Sequence, residues 1–145
     1  MPHTLRLTTL LERVYAQRPL PLEQLKRELP ALDALCKSLG VSPLSSFVDI
    51  SAIEWQEAAS LAGAEPSTLD PDPETGGALA IEDLSWHPVA LGMTSLEAIS
   101  LHLQRGENLQ FQTQDLDSLL QELAFCREQL APLEAEGGQF HLAAT

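Results

Sequence analysis

Apolar residues near the start of the chain, Leu5, Leu7, Leu10, Leu11, Val14 and Tyr15, recur at mostly helical spacing and predict a first helix ending near Gln17. Pro19 and Pro21 stop it, and Pro21 suits the first turn of a second helix with a stripe of Leu22, Leu25 and Leu29. Pro30 removes a backbone donor and biases Leu29 away from helical geometry. The stretch to Leu39 is therefore expected as a separate or kinked helix ending at Gly40. Ser51-Ala52-Ile53-Glu54 has the form of a capping box, opening a helix from Ala52 to about Ala62 with Gly63 as terminator. Thr94-Ser95-Leu96-Glu97 has the same form and opens a helix through Ile99 and Leu103 to Gly106. The longest helix is expected from near Thr113, with Leu116, Leu119, Leu120, Leu123, Leu130 and Leu133 on its buried face. Pro132 bends or ends it before Gly137-Gly138.

Strand signals are short. Leu109-Gln110-Phe111 and Phe140-His141-Leu142 alternate apolar and polar residues, which puts His141 on the opposite side of its strand from Phe140 and Leu142. A strand, a long helix and a strand are what a parallel crossover requires, so these two are candidate neighbours in a small sheet. Phe47 to Ile50 and Ala78 to Ile81 are weaker strand candidates. The expected fold class is α+β, helix-dominated, with a small sheet of short strands and the long C-terminal helix followed by a strand. A chain of 145 residues hides roughly 68–70% of its unfolded surface, enough for one core without a staple, so residues 1–145 are expected to form a single soluble domain. The loop at 64–77 holds Pro66, Pro71, Pro73, Gly76 and Gly77 beside Glu65, Asp70, Asp72 and Glu74, and is too polar to bury. It joins elements within that domain or divides it into two lobes.

Charge adds the least ordinary feature. Between Lys37 and Arg105 there are ten carboxylates and no lysine or arginine, within a chain of net charge −13. Such a field repels nucleic acid and anionic lipid and favours a cationic partner, such as a basic protein, a metal ion or plain solubility. No apolar run reaches the ~18 residues of a membrane span, and no signal-peptide pattern precedes the first helix, so a cytoplasmic protein is expected. Cys36 and Cys126 are far apart in sequence and belong to no zinc pattern, which makes them reduced core residues.

Candidate chemistry is sparse. Asp70-Pro71-Asp72-Pro73-Glu74 superficially matches a calcium loop, but Thr75 stands where glycine is needed and Ile81 where the closing glutamate belongs. Around Glu82, Asp83, Trp86 and His87, a catalytic arrangement would make His87 the base, oriented by Glu82 or Asp83, with Ser85 or Cys36 as nucleophile. Ser85 lies in no nucleophile-elbow pattern, and a tryptophan before His87-Pro88 is better read as a packed corner. His3, His87, His102 and His141 are scattered, without HxxxH or HExxH spacing, and no phosphate-binding glycine motif occurs. No catalytic residue, metal or cofactor is expected.

Trp86-His87-Pro88 with the Gly92 to Glu97 segment and Leu101-His102-Leu103, together with the long helix running into Phe140-His141-Leu142, resembles uncharacterised bacterial domains. Those domains share a tryptophan turn, a glycine-led helix and a closing helix-strand unit. The likeness runs from Trp86 onward; it implies an α+β fold and a bacterial source and carries no activity. Two function classes follow from the residues. The first is a non-catalytic interaction module, an inhibitor, immunity-type or adaptor protein, using Asp70, Asp72, Glu74, Glu82 and Asp83 against a basic partner. The alternative is a small enzyme or ligand-binding protein with a pocket near Trp86 and His87. Homo-oligomers are compatible with either, since the leucine face from Leu116 can serve a core or an interface.

Overall fold

A computed structural model of the chain describes residues 4–63, 72–75, 79–105 and 113–144. Its elements are strands β1 (Leu5–Leu11) and β2 (Val14–Gln17), helices α1 (Glu23–Arg27) and α2 (Leu29–Leu39), strand β3 (Val48–Asp49), helix α3 (Ser51–Leu61), strand β4 (His87–Pro88), helices α4 (Val89–Gln104) and α5 (Thr113–Glu134), and strand β5 (Gln139–Ala144). Short 3-10 turns at Leu44–Phe47 and Ile81–Asp83 precede β3 and β4. The fold is α+β, with a five-stranded sheet in the order β2-β1-β5-β3 and β4 also paired to β5.

The expected first helix is a β-hairpin. Leu5 and Leu7 alternate, Thr8 and Thr9 are β-branched, and the chain reverses through Glu12 and Arg13, both left-handed at φ 49° and 65°. Two left-handed residues make the tight turn whose twist matches paired strands, and Leu11 then sits opposite Val14 and Thr8 opposite Gln17. The same apolar residues fit a helical stripe, so periodicity alone misassigned them.

Past the hairpin, the proline and glycine signals fare better. The chain breaks between α1 and α2 at Glu28, Pro30 sits in the first turn of α2, and Gly40 closes it at φ 75°. Gly63 ends α3 in the same way at φ 76°. Both capping boxes are overturned. Ser51 lies inside α3 and donates its amide and hydroxyl to Asp49 Oδ1, which takes over the end of the helix. Helix α4 starts at Val89, and Thr94 is an interior residue whose hydroxyl donates to the Ala90 carbonyl at 3.0 Å.

β5 is the organising strand. β1 pairs along one of its edges from Leu5 opposite Ala144 to Leu10 opposite Gln139, while β3, parallel, and β4, antiparallel, share the other edge. The expected parallel neighbour from Leu109 to Phe111 lies outside the described residues. Of the other weak strand candidates, Val48–Asp49 is β3, whereas Leu79 and Ala80 are irregular and Ile81 enters a 3-10 turn. Ala78 lies outside the described residues.

On one face of the sheet Leu5, Leu7, Phe140, Leu142 and Ala144 meet α1, α2, α4 and α5, whose Leu25, Leu32, Ile99, Leu119, Leu123 and Leu130 complete one core cluster. Gly92 brings α4 directly onto the Phe140 ring, leaving no room for a Cβ. Cys36 and Cys126 are free and buried in this core, where desolvation pushes their thiols up to about 11 and about 12.

Candidate functional site

The opposite face of the sheet holds the polar chemistry. Strand alternation sends Arg6, Thr8 and Leu10 of β1, Tyr15 and Gln17 of β2, Asp49 of β3, and Gln139, His141 and Ala143 of β5 to this side. The chain from Leu79 to Trp86 crosses over it. Leu10 and Ala143 of the sheet and Ile81 of the crossing are buried yet lie outside the main core cluster. Beneath it, Thr8, Asp49 and His141 are 0%, 5% and 1% exposed, so three polar side chains share a nearly dry layer.

The Asp49 carboxylate is the hub. Oδ1 accepts from the Ser51 amide at 2.8 Å and from the Ser51 hydroxyl, and Oδ2 accepts from the Ser85 amide at 3.4 Å. His141 Nε2 lies 3.8 Å from Oδ2, an electrostatic neighbour beyond hydrogen-bond distance. Burial pushes His141 down to about 4, against the opposing pull of Asp49 and the Ser85 backbone, and His87 lowers it further. The imidazole is therefore neutral at pH 7. Burial, then Asp49, raises the Tyr15 hydroxyl. Thr8 and His141 are directly opposite in the β1–β5 register, and neither Thr8 Oγ1 nor His141 Nδ1 has a hydrogen-bond partner among the described residues.

Trp86 closes the layer. Its ring lies 4.4 Å from the His141 ring and 6.2 Å from that of Tyr15, and its indole N–H donates to the Ile81 carbonyl at 2.9 Å. His87 points the other way, with its ring 5.3 Å from Phe47 and 6.4 Å from Phe140. Trp86 and His87 thus stand on opposite faces of the sheet and do not line a common pocket. The polar group beside Trp86 is Asp49 with His141.

The expected docking acids are placed around the hairpin turn. Arg13 reaches Glu74 through Nε at 3.0 Å and Nη2 at 2.6 Å, and Glu82 through Nη2 at 2.7 Å. Its own pKa is raised by those bonds. Glu82 is held below the usual carboxylate range by its own backbone amide first and then by Arg13. Asp72 accepts the amides of Glu74 and Thr75 at 2.8 and 3.1 Å, and Asp83 accepts that of Ala80 at 3.1 Å. Asp70 lies outside the described residues. No protein-family model, curated protein or solved structure matches this chain. Its function has to be argued from these contacts. Among the described residues, no three His, Cys, Asp or Glu side chains converge as metal ligands, and no helix is long and apolar enough to cross a membrane.

Asp49 and His141 were the residues that sequence reasoning passed over. Period-two alternation at Phe140-His141-Leu142 does put His141 on the second face. That this face is covered, and that Asp49 lies beside it, depends on the pairing of β3 with β5, which a two-residue strand does not announce.

Proposed function

We propose that this protein is a non-catalytic interaction module, of the inhibitor, immunity or adaptor kind, whose acidic surface meets a basic protein. The observation that supports the reading is α3. None of its eleven residues is buried. Leu61 is 90% exposed and Ile50, just before the helix, 48%. Glu54 and Glu57 are also exposed, in the stretch that holds no lysine or arginine. A partner carrying Lys or Arg around an apolar hollow would cover Ile50 and Leu61 and match both glutamates, with charge acting chiefly on encounter rate and partner choice. Asp70, Asp72, Glu74, Glu82 and Asp83 would extend the same acidic surface. Within the chain Glu74 and Glu82 already share Arg13, which leaves α3 as the stronger contact.

The test compares wild type with a Glu54→Lys, Glu57→Lys double variant as bait in extract of the source cells at low salt. A basic protein retained by wild type, lost from the variant and released by salt supports the reading. Equal retention by both baits, or an association rate indifferent to ionic strength, overturns it.

A second reading, a ligand-binding protein or small enzyme near Trp86, draws on the buried Asp49–His141 pair packed against that ring. Its test is a small-molecule screen followed through the imidazole resonances of His87 and His141. A compound that shifts His141 at stoichiometric concentration supports it, and a library that leaves both rings unmoved speaks against it.

A further inference from the structure

We propose that residues 79–86 form a flap that neutral His141 keeps closed over the sheet and that acid releases. The proposal stands apart from the interaction reading and does not need it.

The geometry is that of a cover fixed at discrete points. Trp86 lies on the His141 ring, the Ser85 amide donates to Asp49, and Glu82 is tied across to Arg13 on the hairpin turn. Only Ile81 of the flap is fully buried, so few apolar contacts oppose its lifting. The site beneath accommodates a neutral imidazole poorly suited to becoming a cation. Protonation adds an N–H that must find an acceptor. Nδ1 has none among the described residues, and its cross-strand neighbour Thr8 is itself without a partner there, so the Asp49 carboxylate 3.8 Å from Nε2 and the Ser85 backbone are what the cation has to rely on.

The groups facing His141 are Thr8 of β1, with Arg6 two residues along on the same face, Tyr15 of β2, Asp49 of β3, and Ser85 and Trp86 of the flap, while His87 of β4 acts on it from the other face of the sheet. Desolvation is the largest influence and lowers the imidazole to about 4 with the flap closed, Asp49 and the Ser85 backbone favour the cation, and His87 opposes it. Lifted into water, the imidazole regains its ordinary value of about 6.5. The open state therefore binds the proton more tightly, closure is fully favoured above pH ~6.5, and opening is promoted progressively as the pH falls to ~4. The open-to-closed ratio should rise by up to about two orders of magnitude across that interval. Glu82, held below the usual carboxylate range, keeps its tie to Arg13 until still lower pH.

The experiment uses Trp55→Phe, which leaves Trp86 as the one tryptophan. Acrylamide quenching of Trp86 is followed from pH 7.5 to 4 beside far-ultraviolet circular dichroism. Supporting results are quenching that rises between about pH 6.5 and 4 with the helical signal retained, and loss of that rise in His141→Gln. Quenching that stays flat, that rises equally in His141→Gln, or that changes only together with the helical signal overturns the proposal. Should His141→Gln not fold, a nuclear magnetic resonance titration of the His141 ring in the Trp55→Phe protein decides instead. A midpoint below 6.5 that coincides with the rise in Trp86 quenching supports the flap, and a midpoint at or above 6.5, or one with no accompanying rise in quenching, overturns it.

Discussion

A Cβ on Gly92 would overlap the Phe140 ring, so alanine there must either turn the ring or lift α4 from the sheet. Replacing a helical glycine with alanine ordinarily gains about 1 kcal/mol, but overpacking costs about 1–3 kcal/mol. Gly92→Ala should therefore be net destabilising by up to about 2 kcal/mol in urea unfolding, with a midpoint below wild type. An unchanged midpoint would mean that the ring has room to move. Asp49 carries a second residue-scale prediction. Its charge raises the His141 pKa, so Asp49→Asn should move the His141 midpoint to lower pH, read by imidazole chemical shifts. Movement to higher pH would show that the Asp49 charge does not hold the His141 midpoint up. Neither residue could be singled out from sequence. Gly92 reads as a weak point in a helix until Phe140 is known to lie against it, and Asp49 is one acid among many until β3 pairs with β5.

At the scale of elements, α1 is too short to hold itself together and borrows a cap from α5. The Glu122 carboxylate accepts the amides of Gln24 at 3.0 Å and Leu25 at 2.9 Å. Glu122→Ala should cost about 1–2 kcal/mol and raise amide exchange first within Glu23–Arg27. Exchange rising uniformly over the chain would argue against a local clamp. Elements were legible where the backbone itself demands a residue type. Gly40, Gly63 and Pro30 mark helix ends that the structure keeps. The long helix and its following strand stand out because their leucine face and their alternation extend over enough residues. The hairpin was not legible, since Glu12 and Arg13 are atypical for left-handed positions and Arg13 is held by two glutamates remote in sequence. The capping boxes failed for a related reason. Ser51 found a stronger acceptor in Asp49, and His87-Pro88 pairing with β5 let α4 begin before Thr94.

For the whole molecule, a net charge of −13 makes compaction electrostatically unfavourable. Raising salt from about 0.01 M to about 0.15 M shortens the screening length from roughly 30 to 8 Å and should raise the melting temperature. The Arg13 pairs respond in the opposite sense, but they are exposed and few. A melting temperature that falls with salt would show that local pairs outweigh the general repulsion.

The pairing of β1 with β5 also has a consequence in time. Leu5 finds its partner only at Ala144, so the middle of the sheet joins segments translated far apart. At roughly 5–20 residues per second, the hairpin waits on the order of ten seconds with its apolar face unclaimed. Nascent chains arrested with residue 138 outside the ribosome should be cut readily by protease, whereas those with residue 144 outside should resist. Synthesis of β5, rather than of any helix before it, is the event that lets the core close.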